Sequence, residues 1–190
     1  MSPTHPNFSI FTISISLLTT LILISNSGSS ASDPNSYSRP TDLVNKVCKQ
    51  TRSYSSCVHS LYSDSRTSEA DEYTLAYVAV GLAYANASST RSRISQLLRK
   101  NNGNYKQPLE RCARNYKDAI TLLGMADNDL NSETFFEISD LAGNASAAAY
   151  DCEAAFRGFR PPLPLGRRNK DLQGLCEICG VVAKLFTGLL

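Results

Sequence analysis

The sequence predicts an all-α fold: four long helices in an up-down-up-down bundle, preceded by a short helical hairpin. Three observations carry that reading. Apolar residues recur every three or four positions through four long segments, which places them on one helix face. Short polar breaks separate the segments, as antiparallel neighbours in a bundle require. No alternating strand pattern competes anywhere after residue 40.

The amino-terminal segment reads as a targeting signal. Residues 1–31 contain no Lys, Arg, Asp or Glu, and Phe8 to Ile24 is mostly apolar. Ser29 and Ala31 supply small residues at the −3 and −1 positions of a secretory cleavage site, so cleavage is expected after Ala31. A transmembrane anchor is the competing reading. The run is broken by Ser and Thr and is near the short limit of about 17–25 residues. Ser32 to Pro40 is expected to be a flexible leader, and residues 41–190 one domain. Removing 31 of 190 residues leaves 159 and does not change the net charge of +2. No lysine or arginine block stands out, so nucleic acid is not an implied partner. Secretion makes disulfides the default state of cysteine, although six cysteines allow 15 full pairings.

The elements follow in order. Thr41 or Asp42 caps a short helix with Leu43, Val44 and Val47 apolar and Cys48 near its end. Arg52 and Ser53 form a break. A second short helix carries Tyr54, Cys57, Val58, Leu61 and Tyr62. Pairing Cys48 with Cys57 closes a loop of about ten residues, which the chain-entropy account values at about 2.7 kcal/mol.

The first long helix is expected from Ser68, a good N-cap, with Glu69, Asp71 and Glu72 in its first turn. Its stripe is Tyr77, Val80, Tyr84, Ala87, Ile94 and Leu98, interrupted by Arg91. Arg99, Lys100, Asn101, Asn102 and Gly103 stop it. The second starts near Tyr105, with Pro108 tolerated in the first turn, and its stripe runs from Leu109 through Cys112, Tyr116, Ala119, Leu123 and Ala126 to Leu130. The third runs from about Ser132 to Arg157 on Ile138, Leu141, Ala145, Ala148, Cys152 and Ala155. Gly158 to Gly166 forms a rigid apolar-rich loop with Pro161 and Pro162. The last helix carries Leu172, Leu175, Cys179, Val182, Phe186 and Leu189.

Cys112 lies 20 residues before Ser132 and Cys152 lies 20 after it. In a helical hairpin turning at Ser132 the two sulfurs therefore sit level on facing stripes. A disulfide needs Cα atoms about 4.4–6.8 Å apart, which facing positions in a tight helix pair satisfy.

Little in the chain looks catalytic. His59 is the one histidine of the mature chain and reads as a surface or structural residue. Cys176 and Cys179 form a C-x-x-C, whose sharp reading is a redox site. Because Cys179 falls on the apolar stripe, two buried core thiols are preferred. Two cysteines and a distant histidine do not make a structural zinc site. No phosphate loop or nucleophile elbow is present, and no cofactor is expected. Asn86-Ala87-Ser88 and Asn144-Ala145-Ser146 are glycosylation sequons, each inside a predicted helix. Asn7-Phe8-Ser9 lies within the signal.

Several of these features together resemble one family. Cys48 and Cys57 with eight residues between, and Cys112 and Cys152 with 39 between, are similar to the four-cysteine signature of the plant invertase and pectin methylesterase inhibitors. So are Asp151-Cys152-Glu153, the Asn169 to Leu172 approach to the last helix, and Leu175-Cys176-Glu177-Ile178. The resemblance implies a four-helix bundle with an amino-terminal hairpin, disulfides pairing Cys48–Cys57 and Cys112–Cys152, and a free cysteine at Cys176; Cys179, on the apolar stripe, is expected to be free as well. It implies a secreted, non-catalytic inhibitor that forms a one-to-one complex with a cell-wall or vacuolar carbohydrate enzyme. Invertase inhibitors of this family carry a Pro-Lys-Phe motif near the third long helix. The matching region here is Ser132-Glu133-Thr134-Phe135-Phe136, which keeps a phenylalanine and lacks the proline and lysine. The resemblance therefore favours pectin methylesterase as the target, with acid invertase as the alternative. A saposin-like lipid-binding module fits the cysteine spacing less well, and its chains are much shorter. Glu133, Thr134 and Phe136 are the expected target contacts. Phe136 is turned away from the core stripe, with packing under the amino-terminal hairpin as its competing fate.

Overall fold

The computed structural model describes residues 39–100, 103–159 and 165–190. The expected signal, most of the leader and most of the Gly158 to Gly166 loop lie outside them. The described chain is helical throughout: α1 (Asp42–Cys48), α2 (Tyr54–Leu61), a short 3-10 turn (Ser65–Glu69), α3 (Glu72–Lys100), α4 (Lys106–Asn131), α5 (Ile138–Ala154) and α6 (Gly166–Thr187). α3 packs on α4 and α6, and α5 packs on α4 and α6, which closes a four-helix ring. α1 and α2 pair with one another and dock on α6, with α2 also touching α3.

Local chemistry accounts for the helix starts. The Thr41 hydroxyl accepts the Val44 N–H at 3.3 Å and caps α1. The start of α3 is later than expected. Ser68 is not its cap, because its hydroxyl donates to the Ser65 carbonyl within the 3-10 turn. Ala70 is extended, and Asp71 accepts the Thr74 N–H at 2.7 Å instead. The Thr74 hydroxyl and, after it, this N–H both bond the ionised form and hold the Asp71 carboxyl below its ordinary range.

The α4 stripe is buried from Leu109 to Leu130 without interruption. On α3 the expected Val80, Ala87 and Ile94 are buried and Tyr77 and Leu98 pack at the edge of the core, but the stripe is broader than expected. Ala76, Ala79, Ala83, Ala87, Thr90, Ile94 and Leu97 face inward, while Tyr84 faces out. Short alanine side chains let neighbouring helices approach closely, so the helix turns its small face to the core rather than its aromatic one. On α5, Ala149 is buried where Ala148 was expected, and Leu189 lies beyond the end of α6, after Gly188 in the left-handed conformation.

Three links fix the register of the ring. Cys112 and Cys152 are bonded, with Cα atoms 4.6 Å apart. The buried Tyr116 hydroxyl donates to Asn169 Oδ1 at 2.7 Å, joining α4 to α6. Arg168 Nη1 donates to Ser89 Oγ at 2.8 Å, joining α6 to α3. The amino-terminal hairpin has its own bond, Cys48–Cys57, with Cα atoms 5.5 Å apart. It is latched to α6 by Arg52, whose Nε donates to both Glu177 carboxylate oxygens at 3.2 Å.

The α4–α5 turn is not centred on Ser132. From Cys112 to the end of α4 is a rise of about 28 Å, whereas from Ile138 to Cys152 it is about 21 Å at 1.5 Å per residue. Residues 132–137 make up the difference, and they are where the candidate site lies.

Candidate interaction site

The α4–α5 corner is built around Asp129. Its Oδ2 accepts the Glu137 N–H at 3.1 Å, eight residues ahead, which caps the entry to α5. Its other oxygen accepts the Thr134 hydroxyl, and its carbonyl accepts the Thr134 N–H at 3.2 Å. Asn131 is held to the Asp127 carbonyl at 2.8 Å and accepts the Tyr77 hydroxyl at 2.8 Å. The Tyr73 hydroxyl donates to the Leu130 carbonyl at 2.7 Å. Thus the last turn of α4, whose carbonyls have no helical partners of their own, is tied to α3.

Two residues of the corner carry left-handed backbone. Glu133 and Phe135 both have φ of 57°. Neither is glycine, so each conformation costs about 1–2 kcal/mol. Surrounding contacts must hold them there, and such over-determined strain concentrates at working sites. The third bundle helix therefore begins at Ile138 rather than at Ser132, and Phe135 and Phe136 lie on the corner rather than in a first helical turn.

The strain sends the two phenylalanines in opposite directions. Phe135 folds inward against Phe186 of α6 and meets Tyr73 of α3 edge-on, with centroids 5.6 Å apart. Phe136 is 80% exposed and does not pack under the amino-terminal hairpin. Glu133 and Thr134 are exposed beside it. A large, rigidly mounted aromatic ring in water, with polar neighbours, is the form that interface anchors take. Among the described residues this is the most exposed large apolar side chain.

The remaining sequence candidates are placed elsewhere. His59 is exposed on α2. Cys176 and Cys179 are buried in the core of α6, and burial pushes the Cys176 thiol up to about 12 and the Cys179 thiol well above its usual range. Neither forms the thiolate that redox exchange needs. Asn144 is exposed on α5, whereas Asn86 on α3 is half-buried with its side-chain oxygen enclosed. No group of three or more His, Cys, Asp or Glu able to hold a metal occurs among the described residues. No described helix is long and apolar enough to cross a membrane.

The molecule is thus a four-helix bundle with two disulfide staples and an exposed aromatic corner. The sequence comparisons identify its family. The plant invertase/pectin methylesterase inhibitor family matches residues 42–181, and the chain belongs to that family. Its members are proteinaceous inhibitors of enzymes and not enzymes themselves. A pectinesterase inhibitor of Actinidia deliciosa is 32% identical over 178 residues, covering 92% of this chain and 96% of that protein. The cell wall / vacuolar inhibitor of fructosidase 2 of Arabidopsis thaliana is 31% identical over 178 residues, covering 89% and 95%. In three dimensions, the crystal structure of mutant form A of a pectin methylesterase inhibitor from Arabidopsis superposes with a TM-score of 0.69 at 19% identity, covering 75% of this chain and 95% of that one.

Proposed function

We propose that this protein is a secreted inhibitor of pectin methylesterase that docks through its α4–α5 corner in a one-to-one complex. The observation that carries the reading is Phe136, 80% exposed on a corner held by Asp129, Tyr73 and Tyr77. Preorganisation matters because a partner does not then have to order the loop at its own expense in affinity. Glu133 and Thr134 flank the ring as the polar rim. The similarity to the Actinidia pectinesterase inhibitor and the absence of the Pro-Lys-Phe motif from residues 132–136 support this target.

Acid invertase is the second reading. It is favoured by the nearly equal identity to the Arabidopsis inhibitor of fructosidase. Titrating the purified mature protein against a plant pectin methylesterase and a plant acid invertase, side by side across acidic pH, separates the two. Stoichiometric loss of pectin methylesterase activity alone is expected, and loss of invertase activity alone overturns the assignment. In this reading the secreted chain begins at Ser32, which amino-terminal sequencing of the exported protein tests.

A further inference from the structure

The fold sorts the charge of this chain to opposite ends of the bundle. From Tyr73 to Leu109 the sequence has no Asp or Glu, and that span carries Arg91, Arg93, Arg99, Lys100 and Lys106. The first half of α4 adds Arg111, Arg114 and Lys117. α6 opens with Arg167, Arg168 and Lys170. These cations are scattered in sequence, but the antiparallel ring collects them. The α3–α4 turn brings the end of α3 beside the start of α4. The Arg168–Ser89 and Tyr116–Asn169 hydrogen bonds set the start of α6 beside both helices. From Ser89 to Lys100 that face extends about 16 Å.

Around those three segments eleven basic side chains stand against Glu110, Asp118 and Asp171, a net +8 at this end of the bundle, with Lys170 set apart in the cleft it shares with Arg52 and Glu177. The nearby end of α5 adds only Asp151, Glu153 and Arg157. The opposite end holds Glu69, Asp71, Glu72, Asp127, Asp129, Glu133, Glu137 and Asp140 against Lys184, a net −7. Among the described residues the ion pairs are Arg52–Glu177 and Arg66–Asp64, neither of them on the basic face. Among the described residues no ion pair joins a cation of this face to a carboxylate. Such a concentration of one sign opposes folding by self-repulsion, and a bound polyanion relieves it.

We propose that the α3–α4–α6 basic face binds an acidic polysaccharide. A furrow runs along it, lined by Tyr84, Ser88, Arg91, Ser92, Ser95 and Ile120. Its hydroxyls suit sugar hydroxyls, its arginine suits a carboxylate, and the half-exposed Tyr84 ring offers a stacking face at one end. Two disulfides belong to an oxidising compartment, where nucleic acid is not the available polyanion. The exposed neighbours Ser92, Ser95 and Gln96 are polar, whereas a membrane-surface helix sets an apolar stripe beside its cations. The face lies at the opposite end from Phe136 and does not depend on which enzyme is inhibited.

The test is retention of the full secreted protein on immobilised polygalacturonate, with fully methyl-esterified pectin as the uncharged control. Retention on the acidic polymer alone is expected, with apparent affinity falling about ten-fold or more between about 50 and 200 mM salt. Arg91→Gln/Arg99→Gln/Lys106→Gln should weaken binding about ten-fold, whereas Lys46→Gln/Lys49→Gln/Lys184→Gln, an equal charge change elsewhere, should change it by no more than about two-fold. All six positions are exposed, and equal melting temperatures verify that both variants fold. Tyr84→Ala should lower affinity without changing the salt slope. Equal weakening by the two triple variants overturns the proposal. So does retention on esterified pectin, or tighter binding to duplex DNA or anionic vesicles at matched charge concentration.

Discussion

Phe135 stacks on Phe186 with ring centroids 4.3 Å apart and planes 8° from parallel. The contact joins the α4–α5 corner to the far end of α6. Tyr73 meets both rings edge-on, so α3, α6 and the corner converge on one aromatic cluster. With Phe135 anchored inward in a left-handed conformation, its neighbour is left on the outer surface. The exposure of Phe136 is thus the consequence of a packing contact rather than of a loose loop.

The strain at the corner is measurable. Glu133 sits at φ 57° with an exposed side chain and no hydrogen bond that glycine would lose. Glu133→Gly should stabilise the protein by roughly 0.5–1 kcal/mol, the relief of the left-handed conformation less the added freedom of the unfolded chain. Thermal unfolding checks the sign. Phe135→Gly, at the same φ, should destabilise instead because it removes the stack.

The bundle register is tested by a pair of substitutions on α4. Leu123 is fully buried, and Leu123→Ala should cost roughly 2–5 kcal/mol. Lys117 is exposed, and Lys117→Ala should cost about 0.5 kcal/mol or less. Denaturant unfolding of the two variants should give clearly different midpoints.

The Asp64–Arg66 pair ties the 3-10 turn together. The Arg66 side chain and backbone N–H hold the Asp64 carboxyl at about 2, below its ordinary 3.8. A carboxyl whose folded value is lowered contributes stability above its unfolded value and loses it as pH falls through the folded one. Asp64→Asn keeps the cap geometry and removes the charge. Its stability deficit should be present at pH 6, shrink below about 3.8 and vanish only below about pH 2. Stability measured across that window should converge with wild type, and a pH-independent deficit would refute the assignment.

Cys176 and Cys179 should behave as core residues. Burial disfavours both thiolates, so a thiol reagent at neutral pH should label neither in the native protein and both after denaturation. Rapid native labelling of either would reopen the redox reading.

What was legible in the sequence, and what was not, follows from the type of signal. The α4 stripe reads directly because large apolar residues repeat from Leu109 to Leu130 with nothing competing. The α3 stripe is legible in part: Val80, Ala87 and Ile94 are buried as expected, whereas Ala76, Ala79 and Ala83 give too weak a hydrophobic signal to outweigh the exposed Tyr84. The α5 start misleads because Glu133 and Phe135 adopt a backbone that usually advertises itself by glycine. Asp129 caps a helix eight residues away, a distance beyond any local capping pattern. The carboxylate-free span from Tyr73 to Leu109 is visible in the linear sequence, but its meeting with the cations of α4 and α6 is not, because only the ring brings the three helices together.

The central claim is that Phe136 belongs to the enzyme and not to the core. The most direct measurement is inhibition of pectin methylesterase by Phe136→Ala, paired with its thermal unfolding. An 80% exposed ring contributes little to folding, so the melting temperature should be nearly unchanged. Loss of a hot-spot anchor should weaken inhibition by about 2 kcal/mol, or about thirty-fold in the inhibition constant. A variant that inhibits as well as wild type, whether or not its melting temperature falls, would contradict the account and move the docking surface away from the α4–α5 corner.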